Sequence, residues 1–438
     1  MRRVASVLAL STWLLIAISP SVWAQTAAPS PFGGSADRSA GAAQAPTLPV
    51  LTLDEAIGLA LQANPDLAAV RREVDAAAAL RQQAGLLLNP TVSYGLEDVR
   101  RGLWTSSVTV TQPFELGGKR AARIRAADEA TTVAQADVRL RTVELRAAVI
   151  QLYFDVLAAQ QRERLALRSV ELAQRAVNVS SRRVQAGRVS PVEETRARVA
   201  EAAARVEHSQ ASTDLDTARQ RLAALFGELA PRFSVAAGEV DDVALPPEPI
   251  DVAGRLGNAP ELVRARAEIE RREALAALAR TQRIPDLAIN AGNVSIPEAR
   301  VRATVVGVSV IVPLFNRNQG NILEAAVRTE QARQQLAAAE LRLRSEALQA
   351  QQRLAAARSQ AASVRDEILP GARVALDAAT LGFELGRFSF LDVLDAQRTL
   401  FAAQGQLVRT VADAYRAAAD LERLVGPAPT DRSETLRP

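Results

Sequence analysis

Hydrophobic and polar residues alternate along this chain with two different periods. Between Lys119 and Gln185 apolar side chains recur at alternating spacings of four and three, as at Leu145, Val149, Leu152 and Val156. That spacing gathers them on one face of an α-helix. The stretch contains neither Pro nor Gly and is filled with Ala, Arg, Leu, Glu and Gln, all good helix formers. At about 1.5 Å per residue the helix would extend about 100 Å, far beyond an ordinary globular helix. Its seam predicts coiled-coil-like packing.

Period two takes over in four short runs, at about 91–99, 105–114, 286–295 and 302–314. In the second, Val108 and Val110 share one face and Thr105, Ser107, Thr109 and Thr111 the other. In the fourth, Thr304, Val306, Val308, Val310 and Val312 lie opposite Ala303, Val305, Gly307, Ser309 and Ile311. Such alternation fits a membrane-spanning barrel strand, and a run of about ten residues suits a tilted one. It fits a small soluble hairpin packed on a helix equally well. Four strands cannot close a barrel, so the membrane reading requires several copies of the chain, of which three would supply about twelve strands.

The whole pattern occurs twice. Asn64-Pro65-Asp66-Leu67 returns as Ala259-Pro260-Glu261-Leu262, and Gln112-Pro113-Phe114 as Val312-Pro313-Leu314. Gly187-Arg188-Val189-Ser190 returns as Gly386-Arg387-Phe388-Ser389, and Leu225-Phe226-Gly227 as Leu424-Val425-Gly426. A period near 200 residues is too long for a solenoid and marks a duplicated unit. The expected organisation is a first repeat over 51–227 and a second over 251–426, joined by a linker at 228–250. The first repeat would carry a long helix at 119–185 and a second at 191–226; the second repeat would carry their counterparts at 321–385 and 390–425. Pro370-Gly371 predicts a kink in the third of these.

Flanking segments add a compartment. Arg2 and Arg3, an apolar run from Val7 to Ile18 and Ser21-Val22-Trp23-Ala24 read as a signal peptide, 1–24, ahead of a flexible leader, 25–50. A tail follows at 427–438. The chain has no Cys, one Met and one His, His208. With a net charge of +4 and charges of alternating sign, it shows no nucleic-acid patch. No nucleophile–base pair, metal cluster or phosphate-binding loop can be composed from it, and Gly117-Gly118 is too short for the last. The reading is therefore of a protein that is not an enzyme, with no cofactor, no catalytic residue and no metal site.

Over residues 51–426 the chain resembles the TolC-type outer-membrane efflux channels. The resemblance rests on Leu51-Thr52-Leu53-Asp54-Glu55-Ala56, Asn64-Pro65 and Gln112-Pro113-Phe114, and on two helix-turn signatures. These are Ala186-Gly187-Arg188-Val189-Ser190-Pro191 and the longer Leu385 to Asp395. Thr111 to Arg120 is similar to the cobalt–zinc–cadmium efflux subgroup. The resemblance implies a mainly helical fold with a small β part: a homotrimer with a twelve-strand barrel in the outer membrane and a twelve-helix tunnel through the periplasm. It also implies a passive channel for heavy-metal cations, served by a periplasmic membrane-fusion adaptor and an inner-membrane resistance-nodulation-division pump, and seated among outer-membrane lipids. The adaptor would dock on Gly187, Arg188, Val189 and Ser190 and on Gly386, Arg387, Phe388 and Ser389. Asp392 and Asp395 would form the periplasmic gate, as stacked rings of like charge. The competing readings are a channel for multidrug efflux or type I secretion, and a secreted structural coiled coil. The last accounts for the long helices but not for strands placed alike in both repeats.

Overall fold

The computed structural model describes residues 48–97, 104–238, 245–246, 252–297, 300–385 and 387–426. The expected signal peptide, the leader up to residue 47 and the tail 427–438 lie outside the described residues. The first half of the chain runs β1 (Leu48–Leu51), α1 (Leu53–Ala63), α2 (Pro65–Ala84), β2 (Thr91–Glu97), β3 (Thr105–Phe114), α3 (Lys119–Gln185) and α4 (Pro191–Leu225). After β4 (Phe233–Ala236) the second half runs α5 (Val252–Leu256), α6 (Pro260–Thr281), β5 (Leu287–Ile296), β6 (Val301–Val310), α7 (Gln319–Ser363), a π turn (Val364–Ile368), α8 (Leu369–Glu384) and α9 (Phe390–Val425).

Local chemistry sets the helix starts. Thr52 opens α1 with a capping box: its hydroxyl accepts the Glu55 amide at 3.3 Å, and the Glu55 carboxylate accepts the Thr52 amide at 2.9 Å. Asn64 caps α2 by accepting the Leu67 amide at 2.9 Å, with Pro65 at the first helical position. The same Asn64 donates to the Leu225 carbonyl at 3.0 Å, tying the start of α2 to the end of α4.

Helix α3 is the spine. It packs against α2 and α6, against α4 and against α9, while α7 lies along α6 and α9. Its four/three seam is buried: Val149 and Val156 are fully enclosed and Leu145 nearly so, with Ala147, Ala158 and Ala159 beside them. Alanine at these contacts lets helix axes approach closely. Larger groups gather only at mid-length, where Phe154 stacks on Tyr415 with ring centroids 3.6 Å apart. Arginine pairs cross the same surfaces, including Arg146–Glu422 at 2.7 Å, Arg264–Asp137 at 2.9 Å and Arg416–Asp155. Such part-exposed pairs contribute about 1 kcal/mol or less each, so they fix helix register more than stability.

Two features differ from the sequence reading. The kink expected at Pro370 is a π turn just upstream, in which the Leu369 amide donates to the Val364 carbonyl five residues back. Proline cannot donate and its ring crowds the preceding turn, and the widened turn absorbs both effects without breaking the helix. Strand β6 stops at Val310 rather than 314. Pro313 has no amide for the ladder, and the Leu314 amide turns back to the Val312 carbonyl at 3.0 Å.

The apolar end of the expected leader forms β1, which pairs in parallel with β4 from the expected linker. A two-stranded sheet this short is not stable alone. Side chains of α3 hold it. The Tyr153 hydroxyl lies 3.0 Å from the Leu51 carbonyl and 2.8 Å from that of Ala237. Gln160 accepts the Ala236 amide at 2.7 Å and donates to the Ala236 carbonyl at 3.2 Å, so its amide serves as a further strand residue. Burial pushes the Tyr153 phenol up to about 12 from an ordinary 10.0. An acid with a raised folded-state pKa contributes stability that is complete below its unfolded value and lost as the pH rises through the folded one. The thermal midpoint of the wild type should therefore fall between about pH 10 and 12, followed by circular dichroism. Tyr153→Phe should remove that part of the fall and lower the midpoint at neutral pH by about 2 °C, for the loss of about 1 kcal/mol of hydrogen bonding. An unchanged alkaline profile in the variant would refute the assignment.

Candidate functional site

Two regions carry the residues singled out in the sequence: the four-stranded sheet and the turns at the far ends of the long helices. The sheet has the order β2-β3-β5-β6, antiparallel throughout. Its register sorts the residues into two faces. One carries Val92, Tyr94 and Leu96 of β2, which align with Val110, Val108 and Ser106 of β3. These continue across Ala291, Asn293 and Ser295 of β5 to Val306, Thr304 and Arg302 of β6. The row that begins at Phe114 crosses Leu287 to reach Val310. This face is apolar over most of its area. The other presents Ser93, Gly95, Ser107, Thr109 and Thr111 from β2 and β3, and from β5 and β6 it mixes Asn290, Gly292, Gly307 and Ser309 with Ala288, Val294, Ile296, Val301, Ala303 and Val305; its one charged residue is Glu97 at the loop end. In β5, Ile289, Ala291 and Asn293 are exposed, whereas Ala288, Asn290, Gly292 and Val294 are half-buried. A sheet cupped toward its polar face exposes its residues in this way.

The sheet is tied to the helices at one corner by the chain's single lysine. Lys119 pairs with Asp286 at 2.6 Å across the two halves, and the Leu116 amide donates to the same carboxylate at 3.4 Å. Arg123, paired with Glu115, also donates to the Ala84 carbonyl at 2.9 Å and the Leu86 carbonyl at 3.1 Å.

The first helical turn is a Schellman closure. Gly187 adopts φ +67°, the Gly187 amide donates to Val184 and the Arg188 amide to Arg183, both at 2.9 Å. Glycine takes that conformation without the cost a side chain would incur. Ser190 then caps α4, with Pro191 at its first position. The second turn closes differently. Gly386 lies outside the described residues; the Arg387 and Phe388 amides both return to the Gly382 carbonyl, at 2.8 and 3.2 Å. The Phe388 ring lies so close over Gly382 that a Cβ there would sit 2.1 Å from the ring. Arg188, Arg387, Phe388 and Ser389 are exposed and Val189 is half-buried.

Ser389 and Asp392 form the capping box of α9. The Asp392 carboxylate accepts the Ser389 hydroxyl and amide, each at 2.8 Å, and these bonds hold it below the usual carboxylate range. Asp395, one turn on, is exposed and forms no ion pair among the described residues. In the first half the matching pair is Glu193 and Arg196, an ion pair at 3.6 Å.

Sequence reasoning missed the link between the two turns. Arg183 of α3 stacks over the Phe383 ring of α8 at 4.1 Å and donates to the Phe383 carbonyl at 2.9 Å. Around it Ala176 and Ala197 pack with Leu394. His208 contacts Glu163 at 3.1 Å. Among the described residues no group of three or more potential ligands could hold a metal, and no helix is long and apolar enough to cross a membrane.

A family model described as Outer membrane efflux protein matches the chain twice, over 56–228 and 255–427. The cobalt-zinc-cadmium resistance protein CzcC of Cupriavidus metallidurans is 40% identical over 376 residues, covering 86% of this chain and 90% of that protein. The nickel-cobalt-cadmium resistance protein NccC of Alcaligenes xylosoxydans xylosoxydans is 30% identical over 330 residues, covering 74% and 72%. Among solved structures, that of CusC superposes with a TM-score of 0.73 at 19% identity, covering 86% of this chain and 92% of that one.

Arg183 gives this region its test. Arg183→Ala should cost about 1 kcal/mol of local stability, for a half-buried cation–π contact. Amide exchange should then accelerate within 176–200 and 377–395 and stay unchanged in the strands. Uniform acceleration, or none, would show that the link does not hold the turns together.

Proposed function

The chain belongs to the outer membrane efflux protein family, and from that premise we propose that it is the trimeric exit duct of a tripartite pump that expels heavy-metal cations. As a member of the family it is an outer-membrane efflux channel and not an enzyme. The observation that supports the trimer most directly is the sheet. It has one largely apolar face and one of mixed polar and small aliphatic residues in register across four strands, and its outer strands, β2 and β6, each have one edge without a partner among the described residues. Unpaired backbone groups cost several kcal/mol each in hydrocarbon, so both edges must be paired. Three copies joined β6 to β2 would close about twelve strands, with lipid outside and a hydroxyl-lined passage inside.

The duplicated match of the family model supports the organisation into repeats 51–227 and 251–426, joined by 228–250, behind a signal peptide and leader and ahead of a short tail. The metal cargo is supported by the relatives named for cobalt, zinc, cadmium and nickel resistance. A chain with one His and no Cys offers few soft ligands, so choice of metal would fall to the inner-membrane pump and this protein would conduct. The adaptor would dock at the two helical turns, on Gly187 to Ser190 and Gly386 to Ser389. Asp392 and Asp395 would ring the entrance between them.

The capping box separates two roles for those aspartates. Asp392→Ala should lose the carboxylate half of the capping box and lower the melting temperature, along with any gating charge, while the Ser389 hydroxyl still accepts the amide of residue 392. Asp395→Asn should leave the melting temperature alone and still reduce cation preference and block by divalent ions in planar-bilayer recordings, since the Asp395 carboxylate forms no ion pair among the described residues. Unmoved selectivity in Asp395→Asn would end its assignment to the gate. A monodisperse monomer by light scattering, with the β signal intact, would end the trimer.

A further inference from the structure

The apolar face of the sheet carries one charged residue among its strand positions. Arg302 of β6 lies in the row Leu96–Ser106–Ser295–Arg302, the last before the connecting loops, and shares its face with Thr304, Val306, Val308 and Val310. Its side chain is exposed. It forms no ion pair among the described residues, and the sheet's one strand carboxylate, Glu97, is on the opposite face. Arg300 stands two residues earlier, also exposed. It holds a left-handed backbone at φ +51° and closes the β5–β6 turn with its amide on the Pro297 carbonyl at 3.1 Å.

Aromatic residues fix the depth of this row. Trp104, half-buried, immediately precedes β3 and falls in phase with its apolar face, as does Phe114 at the strand's other end. Trp and Tyr favour the membrane–water boundary. Ten residues of strand span about 33 Å, or about 25 Å of membrane thickness at a 40° tilt, which matches the apolar band of an outer-membrane barrel. The Trp104 end is the one remote from the helices, so Arg302 sits at headgroup depth in the outer leaflet. A planar guanidinium there meets phosphate with two parallel hydrogen bonds.

Resting on the barrel reading above, we propose that Arg302 and Arg300 form a binding site for the phosphate groups of acidic glycolipid in the outer leaflet, one site at the β6 edge of each protomer. The apolar row below Arg302 would take the acyl chains, and the two guanidinium groups the diphosphorylated sugar.

The test uses the purified full chain in mild detergent and fluorescent lipid A carrying both phosphates, followed by anisotropy. Wild type should bind it. Arg300→Gln and Arg302→Gln should each weaken binding about fivefold, and the double variant more, because a cation near an anionic headgroup contributes on that scale. Arg72→Gln, an exposed substitution on α2, should bind as wild type. Dephosphorylated lipid A should bind weakly, and inorganic phosphate at the same concentration should not compete. Equal binding by the double variant, equal binding of dephosphorylated lipid, or effective competition by inorganic phosphate would each overturn the site. Planar-bilayer conductance of the double variant keeps the two readings apart. Conduction with unchanged lipid binding refutes the lipid site and leaves the barrel standing, whereas wild-type protein that is a monodisperse monomer by light scattering refutes the barrel.

Discussion

A backbone amide in hydrocarbon must have a partner, and the architecture follows from that requirement. The two edges of the β2-β3-β5-β6 sheet carry amides and carbonyls that no strand among the described residues pairs with. In water such edges invite aggregation; in lipid they are too costly to leave open. Closing them on copies of the same sheet, as proposed, would make the passage and the oligomer one decision. It also explains the duplication, since each half contributes one hairpin and the two hairpins meet where β3 pairs with β5.

The helices face a different constraint. They must stay parallel over about 100 Å without a thick core. Alanine supplies most of the buried positions and lets helices lie close, while arginine pairs such as Arg264–Asp137 fix register between neighbours. Bulk is concentrated at mid-length, around Phe154 and Tyr415, where the β1–β4 pair is strapped to α3 by Tyr153 and Gln160. Toward the turns the packing thins to a few contacts, of which Arg183 on Phe383 is the most specific.

Period and punctuation made the long elements legible. Helix α3 shows itself because residues 119–185 pass without Pro or Gly, and the strands because valine and threonine alternate. Contacts between distant residues were not legible. Nothing near Tyr153 signals that its hydroxyl will meet carbonyls at Leu51 and Ala237, because the pairing exists only after three segments converge. The π turn escaped notice for another reason: proline announces a disturbance, but the surrounding packing decides which form it takes. At Asp392 the resemblance offered a pore charge. The structure shows the cap, made with Ser389, while a ring of charge depends on other copies of the chain.

The polar face of the sheet bears on leakage. Its strands offer hydroxyls, amides, glycines and small aliphatic side chains, and almost no carboxylates. A divalent cation exchanging its water shell for such weak ligands would gain little, so it would cross this section still hydrated. Nothing along the strands would slow a hydrated ion moving inward any more than one moving out. The burden of one-way traffic therefore falls on the opposite end of the molecule, where the helices reverse, and a duct so permissive at its mouth is safe for the cell only while that far end stays shut at rest.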